Sequence, residues 1–159
     1  MNIEIKEMTD KLTKSSICND ILRALPNWFG VETSIIEYTN LVQDMPFYIA
    51  LENNKPIGFV AIKIHNRYAA EISVMGILSK YHRCGIGKKL VSRCEEYCVE
   101  NGYKFLTVKT LDESRASISY EKTRLFYLGV GFYPLEVFPL HWDKDNPCLF
   151  LAKCIDIDK

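Results

Sequence analysis

The spacing of apolar residues changes along the chain and divides it into predicted strands and helices. At the N-terminus, alternation of apolar and polar positions over residues 2–7 predicts a short strand. Two helices are predicted next, over residues 10–25 and 31–44. They are separated because Pro26 disfavours helical geometry at the residue before it and Gly30 lets the chain turn.

Three strands are predicted after these helices. Residues 46–52 and 57–65 are rich in apolar and β-branched residues, and they flank the turn sequence Asn53-Asn54-Lys55. Such an arrangement is typical of a β-hairpin. Residues 69–78 predict the third strand of this group.

The second half of the chain alternates between helices and strands. From Ile86 onward the apolar positions follow helical spacing until Asn101-Gly102, which is a typical helix end. Residues 104–110 are apolar and β-branched and predict a buried strand. The remaining elements are a helix and two strands, over residues 118–128, 132–138 and 148–155. This order of elements predicts one α+β domain, residues 1–159, around a mixed sheet.

Composition and charge narrow the classes of function. The 159 residues are 48% hydrophobic and 25% charged, as in ordinary globular proteins. The 20 Lys and Arg residues are balanced by 20 Asp and Glu residues, which argues against a nucleic-acid or membrane-surface binder with a general basic excess. No apolar segment is long enough for a transmembrane helix, and the N-terminus does not resemble a signal peptide, so we expect a cytoplasmic protein.

The six cysteines predict neither a metal site nor a disulfide. None of them forms a CxxC pair, which is the local pattern of zinc ribbons and of thioredoxin-type sites. In a reducing compartment we expect free thiols. Cys94 and Cys98 are spaced as neighbours on one helical face, where small apolar residues on a buried stripe are expected.

The most informative segment is the glycine-containing turn ILSKYHRCGIGKKL, residues 77–90. A predicted strand leads into this turn, and a predicted helix follows Gly85 and Gly87 directly. The first N–H groups of a helix are unpaired and lie at its positive end, and glycines allow a close approach of the backbone. The turn therefore predicts a site for phosphate groups.

Three phosphate-binding motifs place glycines at related spacings. A GxGxxG fingerprint needs a glycine where Leu90 stands, and a Walker A loop needs a glycine at His82 and a Ser or Thr at Lys89. The third motif is [QR]xxGx[GA], the acetyl-CoA pyrophosphate loop of the GNAT N-acetyltransferase superfamily. The sequence His82-Arg83-Cys84-Gly85-Ile86-Gly87 resembles this loop, with His82 in place of the usual Gln or Arg.

A second segment resembles the same superfamily. Residues 120–132, YEKTRLFYLGVGF, are similar to its C-terminal helix, with a Phe126-Tyr127 pair, a glycine at the helix end and a Gly-Phe pair that opens the next strand. Farther upstream, LPNWFG resembles a segment of some bacterial members. The resemblance covers residues 46–155 best and implies a mixed, mostly antiparallel central sheet with helices on both faces.

The resemblance also implies an acetyl-CoA-dependent N-acetyltransferase, in which a primary amine of a small molecule or peptide attacks the thioester directly. Acetyl-CoA would be a co-substrate, and no metal would be needed. The strand before the loop would splay open, and the N–H group of Ile77 or Leu78 would bond to the thioester oxygen. The cofactor-binding residues implied are Ile77, Leu78, His82, Arg83, Cys84, Gly85, Ile86, Gly87 and Lys88.

Two catalytic residues follow from the same resemblance. Tyr127 would protonate the leaving thiolate, the alternative being a tyrosine that only packs the helix on the sheet. Glu71 lies eleven positions before His82, the spacing of a catalytic glutamate in the histone-acetyltransferase branch, and would be the general base. The alternative is a solvent-facing glutamate. Trp28 and Phe29 would line the acceptor site, with ordinary core packing as their alternative.

Two further questions stay open at the level of sequence. Because His82 departs from the motif, a non-catalytic acyl-CoA sensor on the same fold is the alternative function. Residues 24–54 contain four acids and no base, so we expect a cationic acceptor, unless these are scattered solvated side chains. A homodimer, common among similar proteins, is a candidate assembly.

Overall fold

A computed structural model describes residues 1–155 of the chain. The end of the predicted domain, residues 156–159, lies outside these described residues. The elements in chain order are β1 (Ile3–Glu7), α1 (Lys11–Arg23), α2 (Glu32–Leu41), β2 (Phe47–Glu52), β3 (Lys55–Ile64), β4 (Ala69–Ile77), α3 (Ile86–Asn101), β5 (Phe105–Leu111), α4 (Ile118–Gly129), β6 (Tyr133–Asp143) and β7 (Asn146–Cys154).

The strands form one mixed sheet in the order β1-β2-β3-β4-β5-β7-β6. Within residues 1–155, β4 and β5 are the only parallel neighbours, and the other five pairs are antiparallel. The predicted hairpin is present, with Asn53 and Asn54 at positive φ in its turn. The predicted α+β class with a mixed, mostly antiparallel sheet is confirmed.

Helices cover both faces of the sheet, as predicted. On one face, buried side chains of α3, such as Leu90 and Cys94, pack with Tyr127 of α4 and with the sheet. On the other face, Ile21 and Leu22 of α1 pack over β2 and β3. Because each helix presents an apolar stripe to one face, the sheet is buried between two separate cores. Among the described helices, none has the length and apolar composition needed to cross a membrane.

β4 and β5 pair over four residues and then separate. Their parallel register runs from Ala69 opposite Phe105 to Ile72 opposite Val108. Beyond this point β4 continues beside β3, whereas β5 continues beside β7. The edges of residues 73–77 and 109–111 therefore face an opening in the sheet.

A bulge in β4 lies at the start of this opening. Ala61 of β3 pairs with Val74 and Ile62 pairs with Ile72, so Ser73 is an extra residue without a partner on β3. A β-bulge bends its strand and increases the local twist. The bulge therefore turns the last part of β4 away from β5, as the predicted splaying requires.

The last two strands are longer than predicted. β6 extends to Asp143, and β7 begins at Asn146, so a tight turn replaces the predicted loop. Asp143 closes this turn, because its carboxylate accepts hydrogen bonds from the Asp145 N–H and the Asn146 amide. Most β6 side chains are exposed on both sides, so the alternation that signals a half-buried strand is absent from the sequence.

Candidate active site

The opening between β4 and β5 forms a cleft of about 730 Å³, a size typical of ligand sites. Its walls come from the two strand edges, the start of α3, one side of α4, and the connection between α1 and α2. The cleft thus joins the predicted phosphate loop to residues that are far away in sequence.

The loop before α3 carries a row of free backbone donors. Within the described residues, the N–H groups of residues 83–88 make no backbone hydrogen bond. Arg83 has φ of 62° and Gly85, the residue that precedes α3, has φ of 79°, so both turn the backbone through left-handed geometry. The row lies at the positive end of a 16-residue helix. This arrangement fits a pyrophosphate group.

Gly85 and Gly87 are needed for different reasons. Gly85 has the positive φ that side chains rarely adopt, but a Cβ there would meet no atom within 4 Å. At Gly87, a Cβ would lie 2.9 Å from the ring of Phe126 on α4. The first turn of α3 is therefore packed directly against α4, and a larger residue would require one of the two to shift.

The His82 side chain is used inside the protein. Its Nε2 donates to the Ile77 carbonyl oxygen at 2.6 Å, and its ring lies edge-on to Trp28 with a centroid distance of 5.4 Å. His82 thus connects the loop to the end of β4 and to the α1–α2 connection. The backbone donors of residues 83–88 do not depend on the residue type at this position.

The structure favours Ile77 over Leu78 as the thioester donor. The Leu78 N–H already donates to the Ile57 carbonyl oxygen at 2.9 Å, and Leu78 does not line the cleft. Successive residues of an antiparallel strand point their N–H groups to opposite sides. The Ile77 N–H therefore points away from β3 and toward the cleft.

Tyr127 lines the cleft from α4 and is otherwise buried. Its ring packs against Phe126 and Phe132, with centroid distances of 5.2 and 5.4 Å. Within residues 1–155, Thr110 Oγ1 is the only fully buried side-chain nitrogen or oxygen atom that lacks a hydrogen-bond partner. The Tyr127 hydroxyl is therefore not a buried, unpaired polar group. Burial raises the pKa of Tyr127 well above that of an ordinary phenol, which keeps the hydroxyl protonated.

Glu71 is not a solvent-facing glutamate. Its side chain is 8% exposed and forms an ion pair with Lys109, Nζ to Oε1 2.8 Å, and a contact with His65 Nε2 at 2.5 Å. Glu71 does not line the cleft, whereas Lys109 does. A role for Lys109 was not predicted from the sequence. The signal that could have indicated it is a lysine within an otherwise apolar, β-branched strand.

Trp28 and Phe29 line the cleft, and Trp28 is fixed by α4. The Trp28 indole N–H lies 3.0 Å from Thr123 Oγ1 and 3.2 Å from the Ser119 carbonyl oxygen. The Tyr120 hydroxyl donates to the Trp28 carbonyl oxygen at 2.7 Å. The α1–α2 connection is therefore tied to α4 by contacts that local sequence patterns do not reveal.

The charges of the cleft differ from those expected. Its described lining has no carboxylate side chain, and its charged members are Arg83, Lys88, Lys109 and Lys122. None of the four acids of residues 24–54 lines the cleft. Glu32 pairs with Arg23 and Asp44 pairs with Lys11, while Glu52 accepts a hydrogen bond from the hydroxyl of Tyr81, which lines the cleft. The expectation of a cationic acceptor stays a prediction.

The cysteines behave as isolated thiols. Cys94 and Cys98 are buried, as predicted, and burial raises the pKa of Cys98 to about 12. Among residues 1–155, no three His, Cys, Asp or Glu side chains are grouped in a way that would hold a metal ion.

A family profile now identifies the chain. The profile of the Acetyltransferase (GNAT) family matches residues 15–124, which include β4 and the glycine loop. The chain belongs to the GNAT acetyltransferase family. The predicted family and the predicted class of enzyme, an acetyltransferase, are confirmed. No curated protein matches the sequence.

Solved structures of GNAT proteins share the fold across the whole described chain. A GNAT family protein from Desulfovibrio desulfuricans superposes with a TM-score of 0.83 at 11% identity, over 98% of this chain and 100% of its own. An aminoglycoside 6'-N-acetyltransferase complexed with coenzyme A gives 0.77 at 19% identity, over 96% and 97%. A family member from Elizabethkingia anophelis with acetyl-CoA bound gives 0.73 at 20% identity, over 96% and 98%. At these identities the similarity establishes the GNAT fold.

Proposed function

We propose that this protein transfers the acetyl group of acetyl-CoA to a primary amine. The observation that carries this proposal is that one cleft joins a splayed β4 edge to a loop of free N–H donors. Two proteins of the same fold bind coenzyme A or acetyl-CoA. Bound acetyl-CoA would supply an electrophilic thioester: the amine nitrogen bonds to its carbonyl carbon, and the carbon–sulfur bond breaks.

The cofactor end of the cleft fits a charged phosphate group. The backbone N–H groups of residues 83–88 converge at the start of α3, and the exposed cations Arg83 and Lys88 line the same region. Hydrogen bonds with an ionised acceptor are about twice as strong as neutral ones. These residues would hold the pyrophosphate and fix the position of the thioester in the cleft.

The Ile77 N–H is the donor for the thioester carbonyl. It points toward the cleft, and its direction is fixed by the ladder with β3 and by the His82 bond to the carbonyl of the same residue. A fixed donor aimed at a developing oxyanion contributes about 2.7–4 kcal/mol to lowering the barrier.

Tyr127 is the proton donor for the leaving thiolate. Its hydroxyl is protonated at neutral pH because burial raises its pKa. The same shift makes donation to an alkyl thiolate more uphill than it is for an ordinary phenol, at about 1.4 kcal/mol for each pKa unit. The transfer therefore requires the hydroxyl to be close to the sulfur, where the proton moves as the bond breaks.

Glu71 is the candidate base that accepts a proton from the amine. The carboxylate lies at the closed end of the opening, beside Lys109, which lines the cleft. Because Glu71 does not line the cleft itself, this proton transfer requires an intervening water. The ion pair with Lys109 gives Glu71 a competing structural role, and the two roles call for separate tests.

The test is to mix the protein with acetyl-CoA and a panel of primary amines and to measure thiol release. We expect amine-dependent thiol release and an amide product detected by mass spectrometry. Binding of coenzyme A without turnover on any amine would favour the non-catalytic acyl-CoA sensor instead. A protein that binds neither coenzyme A nor acetyl-CoA would overturn both functions.

A further inference from the structure

The cleft is lined by aromatic side chains from separate elements. Trp28 and Phe29 come from the α1–α2 connection, Tyr38 from α2, Tyr120 from α4 and Trp142 from β6. Tyr38 is close enough to Glu71 for this carboxylate to help raise the pKa of its hydroxyl, whereas Trp28 packs beside His82 of the loop. An acceptor that shares the cleft with the thioester would contact ring faces and edges.

These rings are held in place before any ligand binds. The indole N–H of Trp28 is already hydrogen-bonded to Thr123 and Ser119, and the Trp28 ring packs on His82. Phe29 packs edge-on to Tyr38 with a centroid distance of 6.2 Å. Fixed rings lose little conformational entropy when a ligand binds, so they favour a rigid, flat partner.

Tyr38 adds to the apolar character of this lining. Burial raises the pKa of Tyr38 to about 12, with further contributions from Tyr120 and Glu71. The Tyr38 hydroxyl is therefore neutral and carries no negative charge that would attract a cation.

Strand β6 adds a further aromatic side chain to the lining. Trp142 lines the cleft, and further rings lie next to it on β6 and β7. The ring centroids of His141 and Trp142 are 5.8 Å apart, and those of Phe138 and Phe150 are also 5.8 Å apart. Trp142 is 44% exposed, so its ring is open to a ligand. An aromatic body in the cleft would thus meet rings that come from the α1–α2 connection and from β6.

The charges of the cleft oppose a polycationic acceptor. Within the described lining there is no carboxylate, and Glu71 is already paired with the lining residue Lys109. A second ammonium group on the acceptor would find no carboxylate of the lining to pair with, and the lining cations Lys109 and Lys122 would repel it. Polyamines and aminoglycosides carry several such groups.

We infer that the acceptor is an arylalkylamine, a single primary amine on an aromatic ring, held against the aromatic lining to which Trp28, Phe29 and Trp142 contribute. This inference rests on the proposed function for the reaction but concerns the binding of the acceptor. Trp142 is a specificity-determining residue, because it contributes the open aromatic surface of β6.

The experiment compares 2-phenylethylamine, n-butylamine, spermidine and kanamycin. We expect kcat/KM with 2-phenylethylamine to exceed each of the others by about tenfold or more, since aromatic contacts add to the burial of the ring. Trp142→Leu should lower this preference about tenfold, and Trp142→Phe should retain most of it. Leu140→Ala changes an exposed side chain of the same strand outside the cleft and should leave the preference unchanged. Phe29→Leu tests the contribution of the α1–α2 connection.

Binding separates this inference from the proposed function. The same amines are titrated by calorimetry into protein saturated with coenzyme A, whether or not turnover occurs. Preferential binding of 2-phenylethylamine that is lost in Trp142→Leu supports the aromatic site, even if no amine is acetylated and the transferase proposal fails. Equal or stronger binding and turnover of spermidine or kanamycin overturns the inference while leaving the transferase intact. Binding of none of the four amines also overturns it.

Discussion

Lys109 Nζ lies 2.8 Å from Glu71 Oε1, immediately beyond the last residue pair that joins β4 to β5. The side chains of Glu71 and Lys109 are 8% and 20% exposed. Removing one partner of a buried ion pair leaves the other charge without compensation, whereas removing both partners is much less costly. The same pair thus stabilises the start of the opening and holds the proposed base, and a double substitution separates these roles.

Glu71→Gln and Lys109→Met should each destabilise the protein, by somewhat less than the about 3–5 kcal/mol typical of a fully buried pair, since Lys109 is partly exposed. The double variant should recover most of the free energy of unfolding, measured by urea denaturation. Because the double variant still lacks the carboxylate, its kcat should stay low. If kcat in the double variant recovers together with the free energy of unfolding, Glu71 has a structural role only.

Tyr127→Phe should lower kcat by about a hundredfold or more, as expected for loss of a general acid. Its affinity for coenzyme A, measured by calorimetry, should change little because the ring and its packing are retained. Tyr133→Phe is the matched control, since Tyr133 is 72% exposed on β6 and does not line the cleft. Unchanged kcat in Tyr127→Phe would remove this hydroxyl from the mechanism.

The pH dependence of kcat follows from the raised pKa of Tyr127. A general acid acts in its protonated form, so a raised pKa extends activity to higher pH. We therefore expect no decrease of kcat that is centred at or below the ordinary phenol pKa of about 10. Steady-state rates at saturating substrate across this range check the expectation. An alkaline decrease centred below that value, and absent from Tyr127→Phe, would contradict it.

Gly85→Ala and Gly87→Ala should differ in their effects. Gly85→Ala places a side chain at φ of 79° in open space, so we expect about 1–2 kcal/mol of lost stability. Gly87→Ala brings a Cβ to 2.9 Å from the Phe126 ring, so either this ring or the first turn of α3 must shift, and coenzyme A affinity should fall more. Adding Phe126→Leu should restore part of that affinity in calorimetry. Equal affinity losses in the two single variants, without rescue, would exclude this packing argument.

Cysteine alkylation can test whether coenzyme A binds at the loop of residues 83–88. Within the described residues, Cys84 and Cys154 are exposed thiols and the other four cysteines are buried. Burial raises the pKa of Cys18 to about 12 and of Cys148 to about 11, which makes these thiols unreactive. Coenzyme A should slow the reaction of iodoacetamide with Cys84 but not with Cys154, as followed by peptide mass spectrometry. Equal protection of both would place the ligand elsewhere.

The features that the sequence predicted well depend on neighbouring residues. The helix from Ile86 to Asn101 follows from its apolar spacing and its glycine end, and the phosphate loop follows from glycines next to that helix. The mixed sheet with helices on both faces came from the order of the elements together with the family resemblance. These signals are local, so they need no knowledge of the tertiary structure.

The features that were missed depend on residues far apart in sequence. Lys109 meets Glu71 only because β4 and β5 are parallel neighbours, and Trp28 meets Thr123 across 95 positions. The expectation of a cationic acceptor stays a prediction: it counted acids along the chain, and two of these acids, Glu32 and Asp44, are paired with Arg23 and Lys11. The predicted β6 is shorter than the observed strand because the exposed side chains of β6 lack the alternation of a half-buried strand.

The separation of β4 from β5 has a mechanical consequence. Within the sheet, the block β1–β4 and the block β5–β7–β6 are joined directly by only four residue pairs. A ligand bonded to both free edges would bridge these two blocks like a short additional strand. Its binding free energy would then add to the free energy of unfolding, by about 2.7 kcal/mol at a concentration one hundred times Kd. On this view, the donor substrate reinforces the sheet that holds it, and its departure loosens the seam between the two blocks.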